Sequence, residues 1–177
     1  MTLWLTDSAA RDLIDHARAE APNEACGVLL GSEVRVERAV PVSNTAADPR
    51  HHYHMDEREL ARLIGGRDGL ALVGFYHSHP NGDPIPSPTD VAQATYPGTP
   101  YLIVGLGGSE ARLAAWTIDY GRVNRLPLHV GDQPPPDDSP PLSPAARIAL
   151  LTSALIAFIL MIVVSLSLLP PAPSLPR

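Results

Sequence analysis

The sequence predicts one mixed α/β (α+β) domain, a sheet flanked by helices, followed by a separate apolar helix. Three observations carry that reading. Short apolar runs around 25–30, 70–76 and 101–106 have the length and composition of strands buried on both faces. Segments with helical start signals and apolar residues three or four apart lie among them. After residue 130 the composition changes abruptly, to a proline-rich tract and then to 22 residues without a charge.

Taken in order, Leu3-Trp4-Leu5 is a short strand. A helix follows from a cap within Thr6–Ser8 to about Ala21, with Leu13, Ile14 and Ala17 on its apolar face and Pro22 as its stop. His16 falls among polar residues and is expected at the surface. Glu24 stands at the leading edge of the run Ala25-Cys26-Gly27-Val28-Leu29-Leu30, where a carboxylate is ordinarily a solvated end residue. Cys26 reads as a small buried hydrophobe rather than a ligand. Glu33–Val42 alternates and forms a hairpin with this strand through Gly31-Ser32. His51-His52-Tyr53-His54-Met55 reads as a short strand with His52 and His54 on one exposed face, although a histidine here lining a substrate groove is the other possibility. Asp56 caps the next helix, with Glu59 reaching back as in a capping box, Leu60, Leu63 and Ile64 buried, and Gly65-Gly66 ending it. A strand over Leu70–Tyr76, a loop, a helix from Pro88 to about Thr95, and strands over 101–106, 111–118 and 122–130 complete the domain. Asp119-Tyr120-Gly121 is the turn between the last two.

Composition narrows the function. The chain carries 13 Lys+Arg against 19 Asp+Glu, every cation is arginine, and no basic patch suited to nucleic acid is visible. A single cysteine excludes an internal disulfide and is compatible with a reducing compartment. The N-terminus lacks the basic and apolar regions of a signal peptide. Residues 131–147 read as a semi-rigid linker. Ile148–Leu169 at 1.5 Å per residue spans about 30 Å, the hydrocarbon thickness of a bilayer. With 170–177 as a short tail, the expectation is a single-pass, tail-anchored membrane protein with its domain, residues 1–130, in the cytoplasm.

The chemistry concentrates in His77-Ser78-His79-Pro80, the Gly/Pro-rich loop after it, and Ser87-Pro88-Thr89-Asp90. His77 and His79, two apart on a strand end, point the same way. Asp90 can be brought back to them by the loop. Two imidazoles and a carboxylate leave Zn²⁺ one position short of tetrahedral, as in catalytic rather than structural sites. Such a site needs a general base, and Glu24 is the best carboxylate for it. Ser87 to Asp90 is also a good helix start, with Ser at the N-cap, Pro at N1 and Asp at N3. Spacing alone leaves a cap and a metal site both open.

Glu24 in Glu24-Ala25-Cys26-Gly27-Val28-Leu29-Leu30-Gly31, then His77-Ser78-His79-Pro80, Ser87 and Asp90 at the same spacing, together resemble the JAMM/MPN+ zinc metalloprotease motif. The resemblance covers about residues 1–130. It implies a cytidine-deaminase-like sandwich of a mixed sheet between helices, with one Zn²⁺ held by His77, His79 and Asp90. It further implies Glu24 as general acid/base and Ser87 as hydrogen-bond donor to the oxyanion. The substrates it implies are conjugates of ubiquitin-like or sulfur-carrier-type proteins, cleaved after a C-terminal Gly-Gly. The insertions of larger members are missing between Asp90 and the next strand, which puts linkage-specific polyubiquitin recognition in doubt. A non-catalytic membrane scaffold of the same fold, and a peptidase releasing carrier adducts in sulfur metabolism, are the alternatives.

Overall fold

The computed structural model describes residues 1–65, 68–136 and 143–168. Eight strands form one mixed sheet in the order β7-β6-β5-β4-β2-β3-β1-β8. In chain order the elements are β1 (Leu3–Leu5), α1 (Asp7–Glu20), β2 (Cys26–Ser32), β3 (Arg35–Val42), α2 (Glu57–Ile64), β4 (Ala71–His79), α3 (Pro88–Gln93), β5 (Pro100–Gly105), β6 (Arg112–Asp119), β7 (Arg122–Leu126), β8 (Leu128–Val130) and α4 (Pro144–Ser167). Residues Met1–Pro135 and Pro136–Arg177 form two compact units.

The central strands are buried on both faces because each face is covered by helix. On one side α1 sets Leu13 and Ala17 against Leu29, Tyr76 and Leu102. On the other, Leu63 of α2 and Val91 of α3 pack with Cys26, Val28, Phe75 and Tyr101. Neighbouring residues of β2 therefore feed opposite cores, which is why its sequence reads as a continuous apolar run. Gly27 is required here: a Cβ would lie 2.3 Å from the Val40 carbonyl oxygen and 2.6 Å from the Tyr76 ring. β4 joins β2 antiparallel and β5 parallel, with α3 in the crossover.

Several boundaries differ from the sequence-based expectations. His16 is not a free surface residue: its Nδ1 lies 3.0 Å from the Tyr76 hydroxyl, at the C-terminal end of α1. Residues 51–55 form no strand; only Met55 bridges, to Asn44. Asp56 caps α2 by accepting from the amides of Arg58 and Glu59. The Glu59 carboxylate instead accepts from the Ser43 amide and hydroxyl, so the reciprocal half of a capping box is absent there. The segment 122–130 splits at Pro127, which has no amide hydrogen to continue a ladder. β7 pairs with β6 and β8 with β1, so one residue separates the two ends of the sheet and the sheet curls upon itself.

The linker starts later than expected. Gly131 donates to Leu5 and accepts from the Trp4 indole, and Asp132 accepts from the Asp7 amide. α4 begins at Pro144, inside the segment read as linker. It is one helix long and apolar enough to cross a membrane, with Thr152 and Ser153 hydroxyls returned to its own carbonyls. Gly66, residues 137–142, Leu169 and the tail 170–177 lie outside the described residues.

Candidate active site

The site forms where β4, β2 and α3 meet. β4 runs three residues beyond its apolar stretch, so His77 and His79 both sit on the strand and on one of its faces. Ser78 points to the other face and fastens β2 to them: its hydroxyl accepts from the Ala25 amide at 2.9 Å, and its amide donates to the Ala25 carbonyl. This brings Glu24 beside the histidines although the bonded pair lies 53 positions apart in the chain. Asp90 arrives from the first turn of α3.

The donor atoms converge. His77 Nε2 and His79 Nε2 are 3.1 Å apart, and each lies 3.4 Å from Asp90 Oδ2. Bonds of about 2.0–2.1 Å at a tetrahedral ion set neighbouring donors about 3.3 Å apart. The triangle thus has the dimensions of one face of a zinc tetrahedron, and the donor set of two imidazoles and a carboxylate suits that ion. Among the described residues this is the group of His, Cys, Asp and Glu side chains placed to hold a metal. His51, His52 and His54 are exposed and stand outside it.

The helix cap and the candidate donor triad share one atom, Asp90 Oδ2. Ser87 Oγ accepts from the Asp90 amide, and Asp90 Oδ2 accepts from the Ser87 amide at 2.6 Å, completing a capping box. The oxygen that closes the cap is the one aimed at the histidines. Among the described residues the Ser87 hydroxyl oxygen serves only as an acceptor in the cap, which leaves its hydrogen available to donate.

Electrostatics match this arrangement. Burial lowers the His77 pKa, which keeps its imidazole neutral, against hydrogen bonding to Asp90. Burial also disfavours charge on His79, but Asp90 and the Asp83 carbonyl outweigh it and raise its pKa. Burial opposes ionisation of Asp90 too, yet hydrogen bonds from both histidines hold its carboxyl well below the usual range. Glu24 is different. It is 6% exposed, its Oε2 has no hydrogen-bond partner among the described residues, and burial raises its pKa to about 7, with His79 pulling the other way. The solvated end residue expected at this position is instead a buried carboxyl poised to exchange a proton near neutrality. Cys26, also buried, has its thiol pushed up to about 12 and donates to the Val42 carbonyl, so it is no nucleophile.

Two neighbours were not apparent from sequence. Tyr53 stacks on His77 with ring centroids 4.4 Å apart. Asn44 donates to the Glu24 carbonyl. The only sequence signal for Tyr53 was that it faces opposite to His52 and His54. A lone asparagine in an irregular segment gave none.

A family model described as prokaryotic homologs of the JAB domain matches residues 6–119. A desampylase of Haloferax volcanii is 44% identical over 127 residues, covering 66% of this chain and 89% of that protein. A CysO-cysteine peptidase of Mycobacterium tuberculosis is 35% identical over 127 residues, 68% of this chain and 86% of that one. A probable TtuB-protein conjugate cleaving protease of Thermus thermophilus is 38% identical over 109 residues, 58% and 72% respectively. Among solved structures, a Desulfitobacterium hafniense protein superposes with a TM-score of 0.66 at 30% identity, over 73% of this chain and 93% of that one. The chain belongs to the prokaryotic homologs of the JAB domain, within the JAMM/MPN family, and is a metallopeptidase of that type.

Proposed function

We propose that this chain is a zinc-dependent isopeptidase or peptidase that cleaves after the C-terminal Gly-Gly of ubiquitin-like or sulfur-carrier-type proteins, held at a membrane by residues 148–169. The observation that carries the reading is the 3.1–3.4 Å triangle of His77, His79 and Asp90 donors beside a buried Glu24 whose Oε2 has no hydrogen-bond partner among the described residues. The similarity to a desampylase, a TtuB-conjugate cleaving protease and a CysO-cysteine peptidase supports the substrate class.

His77, His79 and Asp90 would hold the ion. When bound, zinc polarises a carbonyl and brings the pKa of water down to about 7. Glu24 takes the proton from the attacking water onto its carboxylate and returns it to the departing amine nitrogen. A carboxyl with a pKa of about 7 suits both halves of that transfer. Ser87 turns its free hydroxyl hydrogen toward the oxyanion of the tetrahedral intermediate, while the cap to Asp90 fixes its oxygen. The buried surroundings of Glu24 strengthen each of these interactions.

The full chain in detergent, incubated with Gly-Gly-terminated conjugates, should release the free carrier and the amine in amounts read by mass spectrometry. The same preparation should contain about one zinc per chain. A zinc-loaded protein that leaves isopeptide conjugates intact but frees an amino acid from a carrier adduct would favour the sulfur-metabolism reading, which the CysO-cysteine peptidase similarity supports. Cleavage of none of these adducts would refute both.

The tether rests on α4, whose 24 residues span about 36 Å as a helix. Full-length protein is expected to sediment with membranes and resist alkaline extraction, whereas a chain ending at Pro135 should not sediment. Full-length protein found wholly in the soluble fraction would end the membrane proposal.

A further inference from the structure

A histidine ligand is ordinarily aimed through its second ring nitrogen, which a hydrogen bond fixes. His79 obeys this: its Nδ1 lies 2.8 Å from the Asp83 carbonyl oxygen. The Asp83–Pro84 stretch is in turn tied to β6, where the Trp116 indole donates to the Pro84 carbonyl and Arg112 pairs with the Asp83 carboxylate. His77 does not obey it. Its ring is 1% exposed, and Nδ1 has no hydrogen-bond partner among the described residues. Something else must set the ring's rotation.

Tyr53 is the group in position to do so. Its ring lies nearly parallel to the imidazole, at an interplanar angle of 22° and a centroid distance of 4.4 Å. A stacked face resists a turn of the imidazole about its Cβ–Cγ bond, and so keeps Nε2 directed at His79 and Asp90. Tyr53 packs against the core that includes Cys26, Val28 and Phe75. It also borders a cavity of about 500 Å³ together with Met55, Leu60, Phe75 and Tyr96. Its backbone is clamped on both sides by Asn44. The Asn44 amide donates to the His52 carbonyl at 3.1 Å and accepts from the His54 amide at 3.0 Å. The same side chain donates to the Glu24 carbonyl at 2.9 Å and accepts from the Ala46 amide at 3.0 Å. All four hydrogen-bonding positions of this side chain are thereby used.

We infer that Tyr53 is a positioning residue for His77, and that Asn44 holds Tyr53 and the Glu24 backbone in one frame. The inference rests on His77 being a metal ligand, as in the proposed function. It assigns the Tyr53 ring a task its hydroxyl does not share, which separates it from a role in proton transfer.

The test is metal affinity, measured without substrate. Full-length protein in detergent is stripped of metal and titrated with Zn²⁺ against a chromophoric chelator, then with Co²⁺ for its visible spectrum. Tyr53→Leu should weaken zinc binding about 10- to 100-fold, the usual effect of losing an orienting group, and should shift the cobalt bands. Tyr53→Phe, which keeps the stack, should restore affinity to within about threefold of wild type. Asn44→Asp keeps the ring but loses both donated hydrogen bonds, and should fall between the two. Thermal melting of the metal-free variants separates affinity from folding. If Tyr53→Leu does not fold, Asn44→Asp and Tyr53→Trp decide, the second being expected to bind like Tyr53→Phe. Wild-type affinity and cobalt spectrum in Tyr53→Leu, or in Asn44→Asp where that variant decides, would overturn the inference while leaving the metal site standing. A wild-type protein that binds no zinc would remove the metal site itself, and the inference with it.

Discussion

Replacing Glu24 with glutamine should separate the carboxyl's chemical role from its effect on stability, and the two should move in opposite directions. In the metal-free protein, burial raises this carboxyl from its ordinary 4.5 to about 7. The folded chain therefore binds the Glu24 proton more tightly than the unfolded chain does. The resulting stabilisation is complete below pH 4.5 and is lost as the pH climbs through about 7. At 1.36 kcal/mol per tenfold change in affinity, the full span is about 3 kcal/mol. Glutamine keeps the shape and cannot ionise, so Glu24→Gln should lack this pH-dependent loss. Urea unfolding of chelator-treated wild type and variant at pH 5 and pH 8 gives the difference directly. Wild type should lose about 2–3 kcal/mol relative to the variant between those values. The zinc-loaded variant should keep its metal and lose about 10²- to 10⁴-fold in turnover. Parallel stability curves for the two proteins would refute the buried, unpaired carboxyl. Turnover equal to wild type would refute its catalytic role.

Three further outcomes follow from the same geometry. Because Asp90 and the Asp83 carbonyl raise the His79 pKa despite burial, zinc must displace a proton there; affinity should fall as the pH drops below neutral, with proton release on binding read by calorimetry in buffers of different ionisation heat. Ser87→Ala removes both a cap acceptor and the proposed oxyanion donor, so melting should show a loss of about 1 kcal/mol while kcat falls about 10²- to 10³-fold with KM little changed. Gly27→Ala forces a Cβ to 2.3 Å from the Val40 carbonyl and 2.6 Å from the Tyr76 ring, and should cost about 1–3 kcal/mol in denaturant melts, with no direct contact to the His77, His79 and Asp90 side chains.

Legibility in the sequence followed the range of the interactions. The buried strands were readable because each is a short run whose residues all face apolar cores. The convergence of the candidate donors was readable because strand geometry puts His77 and His79 on one face, and the loop to Ser87 and Asp90 turns the chain back to them. What the sequence hid depends on loops. The burial of Glu24 results from Ser78 and Asn44 holding the β2 entrance, and each lies far away along the chain. His16 looked solvated by its neighbours, yet one helical turn of register places it on the Tyr76 hydroxyl. Glu59 had the right spacing for a capping box, but the Ser43 amide and hydroxyl compete for the same carboxylate and win. A local pattern names the donors available; the tertiary partner decides which acceptor they meet.

The Ser87–Asp90 turn illustrates why the bland and the functional readings of such a motif need not compete. The cap requires an oxygen on Asp90 that accepts from the Ser87 amide. A ligand requires that oxygen to be ionised, fixed and directed at the histidines. Two imidazoles hold the carboxyl ionised against its burial, and the Ser87 amide adds a further hydrogen bond in the same direction. A carboxylate oxygen has lone pairs enough for both the amide and an ion. Helix stability therefore holds the Asp90 carboxylate in the place the proposed metal site needs, and loss of the cap should loosen Asp90 as well as shorten α3. The contrast with His77, whose second nitrogen no hydrogen bond anchors among the described residues, makes the loop carrying Tyr53 the part of the site most dependent on long-range packing. Substitutions in the 44–55 segment should consequently alter metal retention more than substitutions at the α3 cap do at equal cost to global stability.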